Sequence, residues 1–378
     1  MPFTPFVLPI TWILGLLSLV LLGGGAYLIW LWYVGAVVGA GYLAAGCASV
    51  IWTVAGRWIM LLLWRRPGAD EPHGTRTGTT RSIRRPDGTE LRVELYGRPD
   101  GPAIILTHGW GTNSTEWYYA KRALADRFRL IVWDLPGLGK SRGPKDANYS
   151  LEKMAEDLEA VVALAGERPV ILLGHSIGGM ITLTFCRRFR HELRRRVAGL
   201  VLVNTTYTNP VLTTSFSGFC RAMQGPLLTP LLYLTIGLSP IVRLMNWLSY
   251  LNGSTHIQTA LTGFTGHETR GQLDFTARYT PLCSPAVLAR GALATFEYDE
   301  TATLRTIDVP TLVVTGHLDR VLVPEASAHI RDVIPAAELV CLRPAGHMGL
   351  FEQHGRLNEV VTQFGAKCFQ SEVVQATT

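Results

Sequence analysis

Val170-Ile171-Leu172-Leu173-Gly174-His175-Ser176-Ile177-Gly178-Gly179 is the stretch whose reading decides the fold. Residues 170–173 form a short continuous apolar run, the pattern of a strand buried on both faces. Residues 177–190 have the apolar spacing of a helix. Between them stands G-x-S-x-G, a pattern that places its serine on a sharp strand-to-helix turn. Gly174 and Gly178, two positions either side of Ser176, let neighbouring backbone approach without a Cβ clash. The hydroxyl then projects above the sheet, and the helix N-terminus offers N–H groups to developing negative charge. Ser176 is therefore the candidate nucleophile. His175 shares the tight turn and is expected to point elsewhere.

The same alternation extends outward. Strands are predicted at 103–107, 130–133, 197–203, 311–314 and 338–342, with a hairpin over 81–96 turning at Pro86-Asp87-Gly88. Helical patterns occupy 115–126, 151–164 (N-capped by Ser150), 325–333 and 350–364. Buried strands alternating with helices imply an α/β fold with a mostly parallel sheet and helices on both faces. The core is expected over 81–204 and 304–368. Residues 205–303 interrupt the alternation and read as an inserted helical cap or lid. Within them 226–251 is strongly apolar, with Arg243 as its single charge, and Pro230 and Pro240 break any one long helix. A third membrane span is the weaker reading. A lid that lines an apolar pocket or dips into a membrane face, and a lid with its own small core, both fit.

A serine hydroxyl needs a base, and the base needs an orienting acid. In doubly wound sheets such groups gather beyond the carboxyl ends of strands. His108, His317 and His347 are the histidines at such ends. His347 follows the strand 338–342, and Asp319 follows 311–314, so Ser176, Asp319, His347 run in the Ser…Asp…His chain order of a G-x-S-x-G enzyme. His317 as base is disfavoured, because only Asp319, two residues away, follows it as an acid. It is expected as a polar neighbour. The strand end Val203-Asn204-Thr205 offers no carboxylate. For the oxyanion, His108-Gly109-Trp110-Gly111 follows strand 103–107, and the backbone N–H groups of Trp110 and Ile177 are the expected donors.

With His108-Gly109-Trp110, Asp134-Leu135-Pro136-Gly137-Leu138-Gly139-Lys140-Ser141, the Ser176 elbow, Gly316-His317-Leu318-Asp319 and Gly346-His347 together, the chain resembles the α/β-hydrolase superfamily over about 81–367. The resemblance implies the triad and the fold, not the substrate. Serine at the elbow argues against epoxide hydrolases and haloalkane dehalogenases, which place Asp there. The leading expectation is an esterase or lipase-like serine hydrolase that cleaves a lipophilic carboxylic ester through an acyl-enzyme on Ser176, with no cofactor and no metal. Thioester cleavage, carbon–carbon bond hydrolysis, haloperoxidase-like chemistry and a non-catalytic ligand-binding role are the alternatives.

The usual soluble member does not begin as this chain does. No Asp, Glu, Lys, Arg or His occurs before Arg57, although the chain carries 35 basic and 29 acidic residues. Residues 7–63 are nearly unbroken apolar sequence, too long for one membrane crossing of about 20 residues and suited to two. Trp12, then Trp30, Trp32 and Tyr33, then Trp58 and Trp64 mark interfaces. Spans are predicted at 10–32 and 38–63, with Gly35, Gly39 and Gly41 at the turn and Gly23, Gly24 and Gly25 packing the helices. A signal peptide is excluded by the missing basic n-region, and a lipoprotein site at Ala44-Ala45-Gly46-Cys47 by its depth in the chain. Residues 1–64 are thus expected as a transmembrane hairpin and 65–80 as a linker. Arg57, Arg65, Arg66, Arg76, Arg81, Arg84 and Arg85 all flank the domain side, which predicts a cytoplasmic hydrolase domain. The arginines at 187, 188, 190 and 194–196 read as a solvated helix end, and no nucleic-acid-binding motif accompanies them. The six scattered cysteines form no CxxC pair and suit a reducing compartment.

Overall fold

Strict alternation of side-chain direction along short, wholly apolar strands builds a sheet with a core on each face. Ile105, Ile131, Leu172, Leu200 and Val313 point to one core, and Ile104, Leu106, Leu130, Val132, Leu173, Val201 and Val314 to the other. The computed structural model describes residues 7–74 and 76–375. The first six residues of the expected hairpin and Thr75 of the expected linker lie outside them.

The sheet has eight strands: β1 (Thr79–Arg84), β2 (Glu90–Gly97), β3 (Ala103–Thr107), β4 (Arg129–Trp133), β5 (Val170–His175), β6 (Val197–Val203), β7 (Thr311–Gly316) and β8 (Ala337–Leu342). Their order is β1-β2-β4-β3-β5-β6-β7-β8. The first two strands are antiparallel to their neighbours, and from β4 onward every pairing is parallel. This is the α/β-hydrolase fold. β5 is central, and the turn that leaves it carries Ser176.

Two long apolar helices come first, α1 (Leu8–Tyr33) and α2 (Ala40–Trp64), each long and apolar enough to cross a membrane. The sheet helices before the insert are α3 (Tyr118–Leu124), α4 (Leu151–Val162), α5 (Ile177–Arg188) and the short α6 (Leu193–Arg196). Ser150 caps α4 by accepting from the Lys153 N–H. Between β6 and β7 the chain is almost wholly helical: α7 (Ser217–Met223), α8 (Thr229–Gly237), α9 (Ser239–Leu251), α10 (Ser254–Gly263), α11 (Arg270–Ala277), α12 (Tyr279–Leu282), α13 (Pro285–Thr295) and α14 (Thr301–Leu304). Then α15 (Pro324–Val333) joins β7 to β8, and α16 (Gly349–Glu352) and α17 (His354–Gln375) follow.

Several local expectations need correction. Of the three mid-span glycines only Gly25 packs the hairpin: a Cβ there would lie 3.0 Å from the Gly46 carbonyl oxygen, whereas Gly23 and Gly24 face open space. Gly35 and Gly39 take positive φ in the turn, but Gly41 is already inside α2. As expected, 226–251 is not one long helix: a π-helical turn, Gln224–Leu228, precedes Pro230, and the run ending at Gly237 meets α9 at 98° just before Pro240. Each proline occupies the first turn of a helix, α8 and α9, where its missing N–H costs nothing. Residues 65–74 and 76–78 lack regular structure yet are not a free linker. Arg76 reaches into the core to pair with Glu94 and, at 2.8 Å, with Asp134. The Arg270 N–H donates to the Arg66 carbonyl at 2.8 Å. The arginines of α5 and α6 do lie on a solvated surface, mostly exposed, and there they meet carboxylates: Arg187 meets Glu152 and Glu300, Arg188 Glu156, Arg194 Asp308, Arg196 Glu159 and Glu192.

Candidate active site

The elbow is strained in the way its sequence demands. Ser176 sits at φ +55° and ψ −121°, a conformation that non-glycine residues adopt only when the surrounding structure holds them there. A Cβ at Gly174 would come 2.3 Å from the Gly178 carbonyl oxygen, and one at Gly178 would come 2.3 Å from that of Thr107. Any larger residue at either place forces β5, α5 and β3 apart. Ser176 is partly exposed, whereas its neighbours on both sides are buried.

Three strand ends converge on that hydroxyl. His347, in the loop after β8, places Nε2 3.1 Å from the Ser176 Oγ. Its Nδ1 lies 2.7 Å from Oδ2 of Asp319, which follows β7. A carboxylate accepts only, so Nδ1 carries the proton and Nε2 is left to accept from the serine. The other Asp319 oxygen accepts the Val321 and Leu322 N–H groups at 2.8 and 3.0 Å, which fixes the carboxylate. Burial holds the His347 pKa below the ordinary histidine value, against the opposing pull of Asp319. The imidazole is therefore neutral near pH 7, as an acceptor for a serine proton must be.

The remaining residues marked in the sequence surround this centre. His108 is fully buried and accepts from the Leu135 N–H at 2.9 Å, so its Nδ1–H donates to the Gly109 carbonyl. It staples the end of β4 to the loop after β3. Gly109 lies against the elbow, since a Cβ there would come 2.9 Å from Nδ1 of His175. The Trp110 ring turns towards the insert, with Nε1 donating to the Leu288 carbonyl at 3.0 Å. Among the described residues, no group accepts from the Trp110 or Ile177 backbone N–H. Ile177 opens α5, where the first N–H groups have no partner within the helix. His317 accepts from the Ala345 N–H at 3.3 Å and so braces the loop before His347.

Two participants escaped the sequence reading. Glu116 is fully buried and accepts from Nδ1 of His175 at 2.8 Å, while Nε2 of His175 donates to the His347 carbonyl at 3.1 Å. Both ring nitrogens face acceptors, so His175 is an imidazolium. Burial works against that charge, but the Glu116 carboxylate prevails and raises the His175 pKa. For Glu116, burial is likewise outweighed by His175, and its pKa is lowered. The second is Asn204, whose Nδ2 donates to the same His347 carbonyl at 2.7 Å and whose Oδ1 accepts from the Gly316 N–H at 2.8 Å. The strand end that lacks a carboxylate thus holds the histidine loop instead. Asn204 was visible as a residue at a strand end; no local pattern marks Glu116.

Comparison with known proteins agrees with this architecture. Residues 102–228 match the family described as alpha/beta hydrolase fold. The chain is 29% identical over 258 residues to the pimeloyl-[acyl-carrier protein] methyl ester esterase of Sodalis glossinidius, covering 68% of this chain and 91% of that protein. Among solved structures, a thermophilic esterase from Thermogutta terrifontis superposes with a TM-score of 0.62 at 24% identity, over 77% of this chain and 99% of that one. An esterase from Rhodococcus sp. ECU1013 gives 0.61 at 26% identity, over 76% and 98%.

Proposed function

Taking the chain as an esterase-like member of the α/β-hydrolase superfamily, we propose that it is a membrane-anchored serine hydrolase that cleaves lipophilic carboxylic esters through an acyl-enzyme on Ser176. The observation that carries this is the continuous hydrogen-bonded chain from Ser176 Oγ through His347 to Asp319, at 3.1 and 2.7 Å.

The chemistry follows from that geometry. His347 Nε2 takes the hydroxyl proton as Ser176 Oγ attacks the ester carbonyl carbon. Asp319 holds the imidazole in the required tautomer and stabilises its cationic form. The carbonyl oxygen becomes an oxyanion against the free N–H groups of Trp110 and Ile177. Collapse breaks the ester C–O bond, and His347 returns its proton to the departing alcohol. A water molecule, deprotonated by the same imidazole, then attacks the acyl carbon and releases acid and free serine.

The apolar character of the substrate rests on two features. α1 carries no charged residue and α2 only Arg57, and the insert over the site exposes Phe216, Phe219, Leu234, Ile241 and Leu244. Anchoring concentrates the enzyme at a lipid surface. In this reading residues 205–303 are the cap of the enzyme, and the arginines at the domain end of α2 face the cytoplasm. Two of those arginines are matched by carboxylates of the insert, Arg57 by Asp274 and Arg65 by Glu268. Arg66, Arg81 and Arg84 carry the orientation.

The test is a fluorophosphonate probe on purified wild type and Ser176→Ala, followed by p-nitrophenyl esters of increasing acyl length. Labelling of the wild type alone, with turnover rising with chain length, is expected. Equal labelling of both removes Ser176 as nucleophile. Labelling without ester turnover redirects the chemistry to thioester or carbon–carbon bond cleavage, and a preference for short chains removes the lipophilic substrate.

A further inference from the structure

The hairpin does not stand clear of the catalytic domain. It is packed into the insert over much of its domain-side half. Trp12 Nε1 donates to Thr235 of α8 at 2.9 Å. Gln258 of α10 donates to Thr11 at 2.7 Å. Ser18 bonds Ser249 of α9 at 3.0 Å and accepts from Asn252 at 2.8 Å. A Cβ at Gly15 would come 2.5 Å from Met245, and one at Gly56 would come 2.8 Å from the Asn252 carbonyl oxygen.

Helix length turns these contacts into depths. At about 1.5 Å per residue, the 26 residues of α1 measure about 39 Å, against a hydrocarbon layer of about 30 Å. Only about 9 Å of α1 can therefore lie outside that layer, even if all of it is on the domain side. Gly15 and Ser18 stand about 10 and 15 Å along the helix from Leu8. Gly56 stands about 12 Å from the Trp64 end of α2, whose 25 residues leave about 8 Å to spare. Tilting either helix only draws these residues deeper. If α1 and α2 cross the bilayer, the residues that touch Gly15, Ser18 and Gly56 are in the bilayer with them.

We propose that the insert is itself a membrane element: α8, α9 and the first half of α10 form a re-entrant wedge inside the leaflet next to the catalytic domain, and its occupant on the outward side is the acyl chains of that leaflet. The proposal rests on the reading of α1 and α2 as spans. Four observations converge on it. The helical run Ser217–Gly237 meets Ser239–Leu251 at 98°, so the chain turns sharply at the shallow end of α9 and α9 descends from there to Ser249 and Asn252. Beside three of the residues that dock on α1, the insert exposes apolar side chains: Leu234 next to Thr235, Leu244 next to Met245, Ile257 and Leu261 around Gln258. On α1 itself Ile13, Leu16 and Leu17 are exposed at the same level, so the apolar surface continues from hairpin to insert. At the depth of Ser18, Ser249 and Asn252 bond to it across the helices, and nearer the surface Trp12 bonds Thr235 and Gln258 bonds Thr11; Arg57, next to Gly56, is bonded to Tyr250 and paired with Asp274, while Asn246 Nδ2 beside Met245 has no partner among the described residues. Arg243 is the one charge of α8 and α9, and it precedes Met245 towards the shallow end of α9. There its long side chain reaches the headgroups.

The wedge leads to the active site. The C-terminal turn of α10 accepts from the loops on both sides of the candidate dyad. The Leu261 carbonyl takes the Arg320 guanidinium at 3.2 Å, beside Asp319, and the Gly263 carbonyl takes the Met348 N–H at 2.8 Å, beside His347. One ten-residue helix thus touches α1 through Gln258 and the catalytic loops through its last turn.

Single cysteines at Leu244, Ile257, Val20 and Lys140, in full-length protein with Cys47 and Cys341 replaced by serine, are labelled with an NBD fluorophore. The proteins are reconstituted into phosphatidylcholine–phosphatidylglycerol vesicles carrying doxyl-labelled acyl chains. Leu244→Cys and Ile257→Cys should be quenched several-fold, as is Val20→Cys in the hairpin, while Lys140→Cys on the core stays bright. Quenching at Val20 but not at Leu244 or Ile257 overturns the wedge and leaves the anchor intact. No quenching at Val20 overturns both. Fluorophosphonate labelling of Ser176 in the same vesicles confirms folding and reports the hydrolase reading independently.

Discussion

His175 Nε2 donates to the backbone carbonyl of His347 across 3.1 Å, so the residue beside the candidate nucleophile holds the candidate base from behind. The bond is made by a buried cation whose counterion, Glu116, comes from the turn before α3. Asn204 donates to the same carbonyl. Two side chains distant in sequence, one of them backed by Glu116, therefore converge on one peptide group, and the ring of His347 is aimed from there.

Glu116→Gln should disturb both stability and catalysis. Removing one partner of a buried ion pair leaves the other charge uncompensated, at a cost of about 3–5 kcal/mol. Denaturant unfolding of the detergent-solubilised protein measures it. The sign with pH follows from the two shifts. The raised His175 pKa stabilises the fold fully at low pH and loses its effect as pH rises through the folded value. The lowered Glu116 pKa stabilises at higher pH and loses its effect as pH falls through its own folded value. Wild-type stability should thus pass through a plateau between the two, and Glu116→Gln should flatten it. kcat should fall more than KM changes, because the aim of His347 is altered and not the binding surface.

Ser176→Ala and His347→Ala should each reduce kcat on a soluble ester by on the order of 10⁴-fold or more. Asp319→Asn should cost about 10⁴-fold by favouring the wrong imidazole tautomer. The double variant Ser176→Ala/His347→Ala should be hardly worse than either single one, since the residues act as a unit. Additive losses in steady-state kinetics would refute a shared role.

The acid limb of kcat/KM should fall below 6.5. A protonated His347 cannot accept the serine proton, and burial holds its pKa under that ordinary value. Activity should therefore rise as pH increases through the lowered value and remain high through neutrality. A pH–rate profile in detergent micelles reports it, and a limb above 6.5 would count against His347 as base.

Glycines of the hairpin should divide sharply. Gly46→Leu forces side-chain atoms against Gly25 and Ile29, where even a Cβ would come within 2.8 Å. Gly23→Leu meets open space. The first should destabilise the α1–α2 pair by about 1–3 kcal/mol, and the second by almost nothing. Thermal unfolding in matched micelles separates them, and equal effects would show that the helices do not pack through Gly25 and Gly46.

Much of this molecule is local and was legible as such. A four-residue apolar run before Gly-x-Ser-x-Gly, with a helix after it, suffices for the elbow, because the glycines answer a clash within ten residues of chain. The parallel strands, the long apolar helices and the positions of Asp319 and His347 at strand ends follow from periodicity in the same way. Other features depend on pairs far apart in sequence and leave no local trace. Glu116 sits in an unremarkable turn and becomes a counterion only when β5 is laid beside β3. Residues 65–80 have the composition of a linker, yet Arg76 is drawn in by two carboxylates the fold has already buried. The apolar run that read as an anchor beside an enzyme proved to be packed into the insert. Periodicity records that a face is apolar; only the tertiary structure decides that the face of α1 at Gly15 and Ser18 meets α9, because shape and hydrogen-bond complementarity belong to the pair and to neither helix alone.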